Sequence, residues 1–304
     1  MSYPTPHGDK LQALLENNKL PARDQPRVRA ALERYEAWKA EIRLVEESGN
    51  SVVEPLVASL NRYKKSIDLD LVFDSADDFL YRQKGQLKID NTILEEFLPW
   101  LVGKAFSEPL TGRGLDLGPT NAFSQLRFES TLLDAGHGGG MTVRSKNHDF
   151  AIARPLFLRA SHRNDFGESQ EASTHLAYLA AEIKTNLDKT MFQEASATAY
   201  DLKLAVPNSR YYLLCEWLDM TPISTAVTAI EEVILLRKAR RISADIRQQF
   251  STASGRAAKR DVFERHLVDH PLAPDAFWRF LSHMEPLLGT QTQNAQDTLD
   301  RGWF

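Results

Sequence analysis

Residues Leu176 to Lys184 read Leu-Ala-Tyr-Leu-Ala-Ala-Glu-Ile-Lys, an apolar run that ends in an acid and a base two positions apart. Such a lead-in predicts a strand, and in an extended chain side chains alternate faces. Glu182 and Lys184 therefore point the same way, while Ile183 turns back into the core. Thr185-Asn-Leu-Asp follows at once, and then a stretch that sets Met191, Ala195, Thr198, Ala199, Leu202 and Val206 along one stripe. This predicts an amphipathic helix with Asp188 as its N-cap. A strand running straight into a helix places the chain in the α/β class.

The rest of the chain supplies the partners. Residues 9–47 carry helical spacing at Leu11, Leu14 and Leu15, a turn near Leu20-Pro21, and a stretch from Val28 to Leu44 dense in Ala, Glu, Arg and Lys. A second helix pair is predicted over 52–65 and 91–105, joined by the polar stretch 77–90. The Gly- and Pro-containing segment 106–120 predicts a loop and a boundary. Phe123 to Leu133 predicts a short helix presenting Glu129, and Ala135-Gly-His-Gly-Gly-Gly140 forces a turn. A His-Gly-Gly-Gly run also occurs in esterase oxyanion holes, but no Gly-x-Ser-x-Gly elbow accompanies it. Strand patterns then cover Met141 to Arg144 and Asp149 to Arg159, with a polar turn at 145–148, and later 176–184, 210–218 and 232–238. Pro155 predicts a bend or an edge. The division expected is a mainly helical region 1–105 for recognition or dimerisation, a catalytic domain 106–288, and a polar tail or intersubunit arm 289–304.

Composition narrows the setting. No apolar stretch approaches the roughly 20 residues of a membrane span, and the N-terminus lacks a basic-then-apolar signal pattern, so a soluble cytoplasmic protein is expected. Cys215 is the single cysteine and reads as a buried, inert thiol. The net charge is −4, yet residues 237–265 hold nine Lys and Arg against three acids, a local balance of +6. A basic segment on an otherwise acidic chain is the footprint of local nucleic-acid binding, or of a solvated helix face.

Chemistry enters through Glu182 and Lys184. An acid-x-Lys triplet is cheap: composition alone predicts about two, and two occur. Asp201-Leu-Lys203 lies within the amphipathic helix, where residues two apart diverge around the cylinder. Glu182-Ile-Lys184 differs in context: an apolar strand before it, a helix after it, and Asp149 opening a strand upstream. One strand face then carries a Mg²⁺ ligand beside an ammonium, and a hard cation wants further oxygens, for which Asp149 is the candidate. This is the layout of a metal-dependent nuclease, which must neutralise phosphate oxygens and generate hydroxide near neutral pH. Glu129 is a candidate for completing the metal shell, and Gln193 and Glu194 for orienting water or metal. His137, His148 and His175 are expected in loops or at the surface, since Mg²⁺ prefers oxygen.

Longer strings carry a resemblance. Lys19-Leu-Pro21 with Val28, Ala31, Tyr35 and Trp38, the stretch Asp78-Phe-Leu-Tyr-Arg-Gln-Lys-Gly-Gln-Leu-Lys88, the stretch Glu182-Ile-Lys-Thr-Asn-Leu-Asp-Lys-Thr-Met-Phe-Gln-Glu-Ala195, and Tyr212-Leu-Leu-Cys-Glu-Trp-Leu-Asp-Met-Thr-Pro-Ile223 resemble the BbvCI-like family of Type II restriction endonucleases. The resemblance spans about residues 8 to 256. It implies a PD-(D/E)xK core with a mixed central sheet flanked by helices, Mg²⁺ dependence, cleavage of double-stranded DNA at a short sequence, and a bacterial cytoplasmic setting. Its catalytic pattern falls on Asp149, Glu182 and Lys184, with His148 standing where a proline often precedes the first acid. It also promotes Arg82, Gln83, Lys84, Gln86 and Lys88 to DNA-contact candidates, types that read base edges or clamp phosphates. Arg237, Lys238, Arg240 and Arg241 would supply backbone contacts. A homodimer is expected, and a heterodimer of strand-specific subunits is the alternative. The competing readings are a structure- or damage-directed nuclease on the same core, and a DNA-binding protein with a vestigial metal site.

Overall fold

A computed structural model describes residues 3–289 and Leu299; most of the tail expected over 289–304 lies outside the described residues. The N-terminal part is helical: α1 (Pro6–Leu15), α2 (Gln25–Leu44), α3 (Val53–Lys65), a π-helical stretch Ser66–Phe73, α4 (Phe79–Leu87), α5 (Ile89–Ala105) and the single turn α6 (Ser107–Leu110). Then come β1 (Asp116–Phe128), β2 (Met141–Ala160), β3 (Gln170–Leu187), α7 (Lys189–Ala205), β4 (Arg210–Leu218) and β5 (Glu232–Arg240). Five short helices follow: α8 (Ala244–Gln249), α9 (Ala253–Ala258), α10 (Arg260–Asp269), α11 (Pro274–Ser282) and α12 (Glu285–Gly289).

Among the described residues the strands form one mixed sheet in the order 1-2-3-4-5. β1, β2 and β3 pair antiparallel, and β3, β4 and β5 pair parallel, with α7 as the crossover between β3 and β4. Helix α5 explains how the helical region joins this sheet. Ile89, Ile93, Leu94, Phe97, Leu98, Leu101 and Val102 leave it apolar nearly all round, the pattern of a helix buried on every side. Each is at most 1 % exposed, and α5 packs on α1 and α3 as well as on β1, β2 and β3. One core therefore runs from the N-terminal helices into Phe150, Ile152, Leu179 and Ile183 of the sheet. The opposite face buries Ala151, Ala180, Tyr211 and Leu213 against Phe192, Ala195, Ala199 and Leu202 of α7. Asp188 caps α7 as expected, its Oδ1 accepting the Met191 N–H at 2.9 Å.

Several local expectations are overturned. Residues 123–128 are not helical but complete β1, paired with β2 as far as Phe128 opposite Met141. An isolated helix this short is marginal, whereas β2 offers a ladder of backbone partners. The turn expected at 145–148 is absent, because Ser145 and His148 pair with Phe123 and Thr120 inside one continuous strand. The chain reverses instead at the glycine run, where Gly136, Gly138, Gly139 and Gly140 all adopt positive φ. A Cβ on Gly138 would lie 2.6 Å from the Ala160 carbonyl, so the turn requires glycine there. The segment 106–120 is not one loop, since it holds α6 and the start of β1. The edge expected at Pro155 is present: it lies beyond Ala153, the last β2 residue opposite β1 (at Asp116), so its β1-facing side is a free edge.

Helix α1 is anchored through a buried histidine. Nδ1 of His7 lies 3.1 Å from Thr92 Oγ1 and Nε2 lies 2.6 Å from the Tyr63 hydroxyl. Burial, aided by the Lys64 charge, lowers its pKa to about 3. The unfolded chain takes up this proton near pH 6.5 and the folded chain does not, so the stability is present above that pH and drains as pH falls toward 3. At 1.36 kcal/mol per unit, about 2 kcal/mol should be lost between pH 6.5 and 5. Urea denaturation at the two pH values checks this. A His7→Gln protein should show a flatter dependence, and an unchanged one would trace the acid loss to other groups.

Candidate active site

Period-two alternation puts Glu182 and Lys184 on one face of β3, about a fifth exposed each, with Ile183 between them at 1 % in the core. Lys184 Nζ lies 2.5 Å from Glu182 Oε1, and the Tyr211 hydroxyl on β4 donates to Glu182 Oε2 at 2.6 Å. Asp149 stands on the neighbouring strand β2, just before the Phe150–Ala181 pair, and its Oδ2 accepts the Ile183 N–H at 2.8 Å. The strand geometry read from the sequence thus brings all three residues together.

The charges are held in tension. Burial raises the Asp149 pKa and the Glu182 charge adds to it, against the Ile183 N–H, which favours the ionised form. Burial also acts on Glu182, but the hydrogen bonds from Lys184 and Tyr211 outweigh it and hold this carboxyl below its usual range. Lys184 is raised in turn, since Glu182 outweighs the cost of its burial. A third acid joins them: Glu95 of α5, 8 % exposed, is pushed up to about 7 by burial first and the Asp149 charge second. Sequence reasoning missed it. The signal was an acidic pair, Glu95-Glu96, inside an otherwise apolar helix. Glu96 has a structural task, accepting the Tyr35 hydroxyl at 2.7 Å and the His7 N–H at 3.1 Å; Glu95 is left to interact with Asp149.

Among the described residues no three His, Cys, Asp or Glu are grouped so as to hold a metal ion between them. What is present is a pair of hard oxygen donors, Asp149 and Glu182 on adjacent strands, with the Glu182 charge raising Asp149 and the Asp149 charge raising Glu95 of α5. That chemistry fits a small divalent cation that takes the rest of its shell from water and phosphate.

The other candidates divide. Glu129 does not join the site: its N–H bonds the Gly140 carbonyl at the far end of the β1–β2 ribbon, nine positions from Asp149 along β2, about 30 Å at the usual strand rise. Gln193 is exposed on α7, and the charge of its neighbour Glu194 reaches Lys184 after those of Glu182 and Asp149. His148 is no surface histidine but 4 % exposed on β2. His137 is exposed, and His175 lies 3.3 Å from Asp116. Cys215 is buried, and burial pushes its thiol up to about 12, so it is inert as read.

Stretch 77–90 is mostly the helix α4. Arg82 is exposed and paired with Asp78 at 3.1 Å, Gln83 is half-buried, and Gln86 is exposed. Lys84 lies 4.4 Å from the Tyr81 ring centre. Lys88 ends the helix at φ 53° and its charge acts on both Asp149 and Glu95. The α4–α5 junction is clasped to β3, for Thr185 donates to Asp90 Oδ2 at 3.0 Å. Beside this clasp a cleft of about 80 Å³ is lined by Lys84, Asp90, Thr185, Asn186, Arg241 and Arg247, so the two DNA-contact candidate segments converge one residue past Lys184. Arg240 is exposed, Lys238 is exposed and pairs with Asp275, and Arg241 pairs with Asp219 at 2.8 Å. Arg237 is a correction. It is 5 % exposed and ion-paired to Glu216 and Asp68 inside the protein, which removes it from any DNA surface.

Comparison with known proteins bears on this site. The solved structure titled "native BbvCI A2B2 tetramer at low resolution" superposes with a TM-score of 0.54 at 19 % identity, covering 90 % of this chain and 100 % of that one, which establishes the shared fold. No curated protein sequence matches. The profile of the Bpu10I restriction endonuclease family matches residues 86–304, which include Glu95, Asp149, Glu182, Lys184 and Tyr211. A match over more than half of the sequence makes this chain a member of the Bpu10I restriction endonuclease family.

Proposed function

We propose that the protein is a Type II endodeoxyribonuclease that hydrolyses double-stranded DNA at a short recognition sequence with Mg²⁺ as cofactor. The observation that carries this is the meeting of Asp149, Glu182 and Lys184 on adjacent strands, next to the cleft shared by Lys84 and Arg241. Asp149 and Glu182, with Glu95 beside them, are the residues that would hold Mg²⁺. When bound, that ion neutralises phosphate oxygens and lowers the pKa of a water. The chain's own groups do the rest. Lys184, kept charged by Glu182, presents an ammonium to the charge that develops on the phosphorus oxygens as water attacks and the P–O bond breaks. Ile183 N–H holds Asp149 in place, and the α5 wall excludes bulk water from its side. Lys88 adds positive charge where the DNA backbone would pass.

The acting unit is taken as a homodimer. Two-fold symmetry then requires a palindromic or nearly palindromic site, whereas mixed subunits such as those of the BbvCI A2B2 tetramer would act on an asymmetric one. Digestion of a long sequenced DNA in Mg²⁺ and sequencing of the fragment ends tests the proposal. Discrete ends sharing one motif are expected, and a smear of unrelated ends would overturn site specificity.

With Ca²⁺ replacing Mg²⁺, Arg240→Ala should weaken affinity for the DNA target and reduce the slope of log K against log salt by about 0.9, one phosphate contact. Lys84→Ala should weaken binding as well. Fluorescence anisotropy over a salt series reads both, and an unchanged slope would remove Arg240 from the interface.

A further inference from the structure

Both oxygens of Glu182 are engaged by the chain itself, and the two partners differ in kind. Lys184 is a flexible cation about a fifth exposed, able to change partner. Tyr211 is rigid: it is fully buried, held on β4 by its pairing with Ala180, and packed edge-on by His148 at 6.0 Å between ring centres. Its hydroxyl has a single proton, and it gives that proton to Glu182 Oε2. A donor on a buried, packed ring orients the carboxylate that accepts from it. The other oxygen, on the Lys184 side, stays free to exchange its partner for a cation.

We propose that Tyr211 is a positioning residue for the metal site, orienting Glu182 through the 2.6 Å hydrogen bond so that the carboxylate meets the cation at Asp149 in one fixed pose. The inference rests on the reading of Glu182 as a metal ligand. Hydrogen bonds of this supporting kind typically account for 10- to 100-fold in metal affinity or activity. The alternative is that Glu182 merely satisfies a buried hydroxyl, in which case Tyr211 serves the fold and not the metal.

Tyr211→Phe keeps the ring and its packing and removes only the donor. Ca²⁺ titrated calorimetrically into the full-length protein should bind about 10-fold more weakly in this variant. The Mg²⁺ concentration for half-maximal cleavage of a long duplex should rise in parallel, with the melting temperature nearly unchanged. A Ca²⁺ affinity and a Mg²⁺ half-point both within twofold of wild type would overturn the proposal. So would a fall in melting temperature with no change in metal affinity. Glu182→Gln separates this from the parent reading. If it weakens Ca²⁺ binding while Tyr211→Phe does not, only the positioning role fails; if it binds Ca²⁺ as wild type does, Glu182 is no ligand and both readings fall.

Discussion

Asp149→Asn is expected to slow DNA cleavage by about 10³-fold or more, near 4 kcal/mol of transition-state stabilisation, while the protein melts at the same temperature or slightly higher. The two effects have one cause. Asparagine is isosteric, and its side-chain oxygen can still accept the Ile183 N–H that Asp149 accepts at 2.8 Å. The fold therefore keeps its contact and loses only a charge. That charge is unfavourable to the folded protein, since burial and Glu182 raise Asp149 and Asp149 in turn raises Glu95. Removing it relieves the repulsion that couples Asp149 to Glu182 and Glu95 and, on the proposed function, takes away a metal ligand. A site kept at the expense of stability is expected where function requires clustered like charges. Cleavage rates at saturating Mg²⁺ and a thermal melt measure both quantities. A rate loss under tenfold, or a loss accompanied by a falling melting temperature, would remove Asp149 from the metal site.

How much of this is legible in the sequence depends on the distance over which each residue finds its partners. Glu182, Ile183 and Lys184 are readable because strand alternation is local, and α7 is readable because its stripe and its cap lie within one segment. Glu95 is not. Only the packing of α5 across the sheet decides that it meets Asp149, while Glu96 turns to Tyr35 and His7. Tyr211 is hidden the same way, as one aromatic in a strand that reads as uniformly apolar until β4 docks beside Glu182. Glu129 failed through secondary structure: a short mixed segment fits a helix as well as a strand, and the long partner β2 settles it.

The basic segment misled for a further reason, because a charge count treats every cation as solvated. Arg237→Ala is expected to destabilise the fold by about 3 to 5 kcal/mol. Its Nε donates to Glu216 Oε2 at 2.9 Å, one terminal nitrogen donates to the His270 carbonyl at 2.9 Å, and the other lies 3.4 Å from Asp68 Oδ2. Lys64 Nζ completes the group at 3.0 Å from Asp68 Oδ1 and 3.0 Å from Glu216 Oε1. The side chains of Lys64 and Glu216 are each 1 % exposed, so water cannot replace a lost partner. Two cations balance two anions. Taking one cation away leaves an uncompensated negative charge in the interior, while Arg237 also ceases to cover the Trp217 ring 4.8 Å away. Arg240, three positions on and exposed at the end of β5, should behave in the opposite way: its change to alanine should move stability by less than about 0.5 kcal/mol and act on DNA affinity instead. Urea denaturation and DNA binding of the two variants resolve this pair. A loss under about 1 kcal/mol for Arg237→Ala would mean that the interior tolerates the unpaired acid. DNA binding weakened in the folded Arg237 variant, with stability intact, would return this arginine to the DNA surface from which its burial removes it.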